Sequence, residues 1–328
     1  MISVVTPGLH TTIQDLGRPG HFAMGLPPSG ALDQFSHRCA NLLVGNSAGA
    51  ATLELTMTGP ALHFKEASLI AVTGGDVDIS IDDHPVETWT SHAVSPEQVV
   101  RIGILRTGAR AYLAIRGGID SPRFLESRST YTSSRIGGLS GEPLKAGDIL
   151  PSGRETSAPG RIGASIDRRL RPALSTQTGV RVVEGLCNHR FTRESLQEFF
   201  TKTFTVTSVS DRTGYRLDGP RLSFVERVQP FGAGDNPSNV VDLGYPVGSI
   251  QAPNGDQAIC LMRDAVTGGG YATLGTVISS DIDRLAQLKA PDLIRFESVD
   301  LDAAVAARKE YRRRLRDAAT NVNLLFMF

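Results

Sequence analysis

Five polar stretches, most of them with glycine, hold most of the residues in this sequence that could do chemistry. The first runs Gln14-Asp15-Leu16-Gly17-Arg18-Pro19-Gly20 and resumes at Gly25-Leu26-Pro27-Pro28-Ser29-Gly30-Ala31-Leu32-Asp33. In the second, Ser127-Arg128-Ser129-Thr130-Tyr131, hydroxyls beside a guanidinium suit a carboxylate or phosphate oxygen, which makes Arg128, Ser129 and Thr130 a candidate anion site. The opposing reading pairs Arg128 with Glu126 or Glu142 and leaves the hydroxyls to cap turns. The third stretch is Ser210-Asp211-Arg212-Thr213-Gly214-Tyr215. The fourth, Asn236-Pro237-Ser238-Asn239-Val240-Val241-Asp242, leads on to Gly248-Ser249-Ile250-Gln251, and the fifth is Thr267-Gly268-Gly269-Gly270-Tyr271. Glycine lets backbone come close to a ligand, and Asn and Gln amides match a urea- or amide-like group through paired hydrogen bonds. Taken singly, each stretch is also what ordinary turns are made of.

Compact catalytic motifs are missing. There is no G-x-x-x-x-G-K-[ST], no helix-forming run after Gly232-Ala233-Gly234 to complete a dinucleotide fingerprint, no G-x-S-x-G elbow and no Ala-Met-Lys-Met-like site for attaching biotin. Cys39, Cys187 and Cys260 are odd in number and set among apolar residues, so they read as small buried hydrophobes; no histidine or cysteine spacing suggests a metal. Lys+Arg and Asp+Glu both number 34, which removes the electrostatic argument for a nucleic-acid or membrane-surface partner. No long apolar run or signal-peptide pattern occurs, so a cytoplasmic location is expected.

The elements that must position these loops are mostly short strands. Residues 61–64, 68–72, 77–81 and 111–115 read as strands in the first half, with Asp82-Asp83-His84-Pro85 as a hairpin tip. Residues 180–183, 204–206, 258–261 and 293–296 read so in the second. Helices are expected over 33–44, after a cap at Thr192, after a cap at Ser280, and over 303–319 with an Arg-rich face. Gly and Pro number 34 and 18, and residues 152–179 are rich in turn chemistry. The expected organisation is a first barrel over 1–150, a linker over 151–179, a second barrel over 180–300, and a C-terminal helix with an apolar tail over 301–328. Thr58-Gly59-Pro60-Ala61-Leu62-His63-Phe64 and Asp218-Gly219-Pro220-Arg221-Leu222-Ser223-Phe224 echo each other, one in each expected barrel.

The segments TTIQDLGRPGHFAMGLPPSGALD, CANLLVGNSAGAATLELTMTGPALHF, GGIDSPRFLESRSTY and SDRTGYRLDGP carry a resemblance to the allophanate hydrolase subunit 2 family. This is the KipA-like, biotin-dependent carboxyltransferase family that includes the C subunit of 5-oxoprolinase and the carboxyltransferase region of urea carboxylase. The resemblance runs from about residue 3 to residue 300. It implies a mainly β fold of two cyclophilin-like barrels with a few short helices. It also implies a partner similar to allophanate hydrolase subunit 1, the KipI-like protein. A biotin carboxylase or carrier, or a chain similar to the A subunit of 5-oxoprolinase, would be a further partner. Pro237-Ser238-Asn239-Val240 with Asp242 is similar to the stretch of urea carboxylase whose asparagine is implicated in holding urea, so Asn239 is the first choice for substrate binding. Asp242, Gln251, Asp211, Arg212, Thr267 and Tyr271 accompany it. Members like the C subunit of 5-oxoprolinase tend to carry Arg, Gln and Lys where this chain has Ala265, Val266 and Thr273.

The resemblance therefore implies one subunit of an ATP-dependent amide- or urea-handling enzyme. No cofactor is expected to be bound covalently: biotin would arrive on a separate carrier, or ATP would be bound by a partner subunit. The alternative is a non-catalytic regulator that binds a KipI-like protein.

Overall fold

The computed structural model describes residues 1–229, 231–232 and 234–324. Leu325-Phe326-Met327-Phe328, most of the expected apolar tail, lie outside the described residues. The chain is mainly β with four α-helices among the described residues, and it divides into two units. The first holds Met1–Arg18, Ser29–Leu174 and the described residues from Arg312 on; the second holds Pro19–Pro28 and Ser175–Tyr311.

In the first unit, β1 (Ile2–Thr6), β2 (His10–Gln14), β3 (Thr52–Thr56), β4 (Ala61–Phe64), β5 (Ser68–Ile81), β6 (His84–Val86), β7 (Ser91–Val94), β8 (Val99–Ile115) and β9 (Ile149–Leu150) form one nine-stranded, curled sheet. The two long strands β5 and β8 pair antiparallel along most of their length, and register shifts after Gly74 bend them. Gly74 has φ +99°, and a Cβ there would sit 2.6 Å from the Arg110 carbonyl oxygen, so only glycine allows this approach. The Asp82-Asp83 turn closes the β5–β6 hairpin as expected, with both residues at positive φ. The concave face buries Val4, Ile13, Leu53, Leu55, Phe64, Val72 and Leu113. Helix α1 (Gln34–Leu43) starts where Asp33 accepts a hydrogen bond from the Ser36 amide at 2.9 Å.

In the second unit, β10 (Gln177–Glu184), β11 (Phe204–Ser210), β12 (Gly214–Asp218), β14 (Ser249–Gln251), β15 (Gln257–Leu261), β17 (Thr273–Val277) and β18 (Leu293–Ser298) close into a barrel. Two further strands, β13 (Asn239–Gly244) and β16 (Gly268–Tyr271), form a separate two-stranded ribbon. Thr192 caps α2 (Arg193–Thr201) as expected, and Phe199 from that helix stacks on Phe296 at 4.5 Å to plug the barrel. The remaining helices are α3 (Ile282–Ala286) and α4 (Leu301–Leu324).

Three expectations need correction. Residues 151–174 are not a free linker but part of the first unit: Ser91 donates its amide to the Ala164 carbonyl at 2.8 Å, and Ala164 and Ile166 are fully buried. Turn-rich composition reports local backbone freedom but not where the backbone groups find partners. Ser280 does not cap α3. The cap position is Asp281, whose buried carboxylate instead takes the Arg181 guanidinium at 2.6 and 2.9 Å. The Gly-Pro-Leu-Phe echo is not structural either, because Ala61–Phe64 is a strand whereas Phe224 makes only an isolated bridge to Phe191.

Candidate functional site

The ribbon of the second unit gathers most of the candidate substrate residues. Asn239 lies directly across from Tyr271 in the β13–β16 register. The Tyr245 hydroxyl accepts from the Tyr271 amide at 2.6 Å and donates to the Tyr271 carbonyl at 2.9 Å, and the Gln251 side chain also hydrogen-bonds it. Tyr245 thereby pins the ribbon to the end of barrel strand β14. Its phenol titrates above the ordinary value, chiefly because it is buried. Gly269 has no side chain where the Tyr245 ring passes: a Cβ there would lie 2.9 Å from the ring.

The loop before Asn239 is fixed from the other side. Ser238 is buried and donates to the Ala252 carbonyl at 2.5 Å, and Asn236 donates to the Pro253 carbonyl at 3.0 Å. Two guanidiniums, Arg190 and Arg227, both donate to the Asn239 carbonyl oxygen, Arg227 at 3.2 Å. Burial, and then the charge of Arg227, lower the Arg190 pKa, though an arginine stays protonated at physiological pH.

The other candidates separate from this group. Thr267 contributes only its carbonyl, which accepts from the Tyr245 amide at 2.9 Å, and Asp242 is exposed on the ribbon. Asp211 accepts from the Thr213 amide at 2.7 Å, making the β11–β12 turn. Arg212 is buried and forks onto Asp264 at 2.7 and 3.1 Å. These two residues brace loops; a buried fork with both ends matched has little left to offer a substrate.

The proposed anion cradle in the first unit is likewise an internal brace. Arg128 meets Asp120 at 2.6 Å and Glu155 at 3.2 Å, neither of them the Glu126 or Glu142 of the opposing reading. Ser127 and Ser129 donate to the Asp15 carboxylate at 2.7 and 2.5 Å, which also takes the Arg128 amide at 2.6 Å. Thr130 donates to the Ile13 carbonyl at 3.1 Å. The first two polar stretches thus close on each other, with Asp15 in the role an anion would have filled.

Sequence reading missed Glu54, Tyr112, Tyr245, Arg190 and Arg227. Glu54 is fully buried, accepting from the Leu32 amide and the Tyr112 hydroxyl, both at 2.8 Å, with Arg110 at 3.8 Å. A charged residue between Leu53 and Leu55 was the available signal. Nothing local marks the others, because their partners lie far along the chain. Among the described residues no helix is long and apolar enough to cross a membrane.

Comparison with known proteins places this geometry. The family described as carboxyltransferase domain, subdomain A and B, matches residues 24–298. This chain belongs to that carboxyltransferase-domain family. It is 34% identical over 315 residues to the C subunit of 5-oxoprolinase from Escherichia coli, covering 95% of this chain and 96% of that protein. It is 35% identical over 310 residues to the urea amidolyase of Saccharomyces cerevisiae, covering 92% of this chain but only 17% of that much longer protein. Among solved structures, the urea carboxylase of Kluyveromyces lactis superposes with a TM-score of 0.91 at 32% identity, over 96% of this chain and 29% of that one.

The environments of Ala265, Val266 and Thr273, where the resemblance leads one to expect Arg, Gln and Lys, differ from one another. Ala265 is buried in an apolar cluster with Tyr245 and Leu261, Thr273 is buried on β17, and Val266 is exposed. A long polar side chain at 265 would have to displace the packing that holds Tyr245.

Proposed function

We propose that this protein is one subunit of an ATP-dependent enzyme acting on a small amide or urea. The observation that carries the reading is the match along nearly the whole length of the 5-oxoprolinase C subunit. In this reading Asn239 orients a planar amide through paired hydrogen bonds, and the ribbon keeps it in place. The chemistry then depends on orientation and on charge stabilisation rather than on a covalent protein intermediate. A subunit 1-like partner completes the enzyme.

Two versions share this role. In one, biotin carried by another chain supplies a carboxylate to a nucleophilic nitrogen held near Asn239; in the other, partner chains bind ATP and a lactam is opened. The apolar burial of Ala265, where members like the C subunit of 5-oxoprolinase tend to carry Arg, favours the carboxyl-transfer version. The test is co-expression with a subunit 1-like partner, followed by size exclusion and by ATP-dependent turnover of urea, allophanate and 5-oxoproline. One co-eluting, active peak is expected. Two separate peaks at micromolar concentration, or turnover of none of the three, would sink the reading.

A further inference from the structure

The first turns of α4 leave an apolar face uncovered. Leu301, Ala304, Val305 and Arg308 recur at the three- and four-residue spacing that puts them on one side of the helix. Val183 of β10, Val277 of β17 and Ile282 of α3 line the same groove from the barrel side. Contact between the two walls is incomplete, since Leu301 is 70% and Val305 52% exposed. The cavity they enclose measures about 470 Å³, within the range that holds small ligands.

The chain holds this groove in place from both ends. Ser298 ends β18 and Leu301 begins α4, with Asp300 between them accepting from the Ala303 amide at 2.8 Å as a helix cap. Farther along the helix, the Tyr311 hydroxyl donates to the Asp283 carboxylate at 2.7 Å and ties α4 to α3. The stretch between these anchors spans the groove, and Ala304 is too small to fill it. The charge of the lining is one-sided. Its charged side chains are Arg263 and Arg308, and no carboxylate is among the lining residues. The carboxylates at the start of α3 are engaged elsewhere, Asp281 by Arg181 and Asp283 by Tyr311.

We propose that this groove binds a linear aliphatic carboxylate of medium chain length, with its chain along the Leu301–Val305 face and its carboxylate at Arg308 and Arg263. From Leu301 to Arg308 the helix runs about 10 Å, close to the reach of a chain of roughly eight carbons. An apolar ligand has no use for the arginines, and a compact anion has none for the apolar trough. The two together select an amphipathic anion. The site shares no lining residue with the ribbon and does not depend on the proposed function.

The test is titration calorimetry of the full chain with octanoate, its neutral analogue octanamide and the short carboxylate butanoate. Octanoate is expected to saturate one site and to bind at least about fivefold more tightly than octanamide, the scale of a partly screened ion pair. Its margin over butanoate should be at least about tenfold, because of the additional methylenes it buries. Arg308→Glu should remove the preference over octanamide, whereas Arg316→Glu, two turns farther along α4, should leave it intact. Ala304→Phe fills the groove and should weaken octanoate at least about tenfold. If circular dichroism shows that variant misfolded, Val305→Asp, at a half-exposed position, should give the same loss. Five results would each overturn the proposal: no saturable octanoate binding, equal binding of octanoate and octanamide, equal binding of octanoate and butanoate, a preference that survives Arg308→Glu or is lost equally in Arg316→Glu, or octanoate affinity unchanged in a folded groove variant.

Discussion

Arg128 in the first unit and the Arg190–Arg227 pair in the second are the same chemical group in opposite electrostatic situations. Around Arg128 the sequence offers hydroxyls on both sides, which looks like an anion cradle, yet Asp120 and Glu155 already neutralise it and Asp15 takes the hydroxyls. Around Arg190 and Arg227 the sequence offers nothing of the kind, yet the fold sets both cations on one carbonyl without a carboxylate. The difference teaches that a binding site is recognised by what the fold leaves uncompensated, not by which polar residues are adjacent in the chain. It also separates the roles of the units. The Asp15–Arg128 network holds two loops of the first unit together, whereas Arg190 and Arg227 in the second hold the ribbon through a carbonyl oxygen.

That contrast can be broken by mutation, most forcefully at Glu54. Glu54→Leu would leave the Leu32 amide, the Tyr112 hydroxyl and Arg110 without this buried carboxylate, and a loss of about 3–5 kcal/mol of stability is expected in urea denaturation. A loss under about 1 kcal/mol would mean that the first unit's network is not what secures it.

Acid should weaken the same unit. His37 is fully buried beside Thr52, and burial is the main cause that lowers its pKa from 6.5 to about 4. The unfolded chain therefore takes up a proton on this histidine as pH falls below 6.5, while the folded chain resists until about 4. The stabilisation is full above pH 6.5 and is lost on the way down to pH 4, about 3 kcal/mol in all. His37→Asn should flatten that part of the stability–pH curve relative to the unaltered chain; parallel curves would refute the assignment.

In the second unit the effects should fall on binding rather than on stability. Asn239→Ala is expected to weaken substrate binding by on the order of 1–3 kcal/mol in the reconstituted enzyme, with denaturation little changed. An unchanged apparent affinity in a folded variant would remove Asn239 from the site. The smallest effect is expected at Arg128→Lys. Losing the fork between Asp120 and Glu155 should cost roughly 1 kcal/mol of stability and leave turnover intact. A fall in turnover there would restore the anion reading of the first unit and erase the contrast between the two.

Much of the scaffold was legible in the sequence. Short apolar runs marked β4 and β15, the Asp82-Asp83 turn marked a hairpin, and Asp33 and Thr192 marked helix starts, because each depends on neighbours within a few residues. Asn239, Gln251 and Tyr271 were legible as candidates through family resemblance, and the structure joins them through Tyr245. What the sequence could not decide was which polar groups are spent on each other. Asp15 meets Ser129 across 114 positions, and Arg212 meets Asp264 across 52. Local pattern carries hydrophobic periodicity and turn preference, whereas charge compensation is a sum over whatever the fold brings within a few ångströms. The sequence by itself therefore determined several of the strands, the starts of α1 and α2, and the family; only the tertiary structure decided that Arg128 and Arg212 are neutralised inside the fold while Arg190 and Arg227 meet no carboxylate among the described residues.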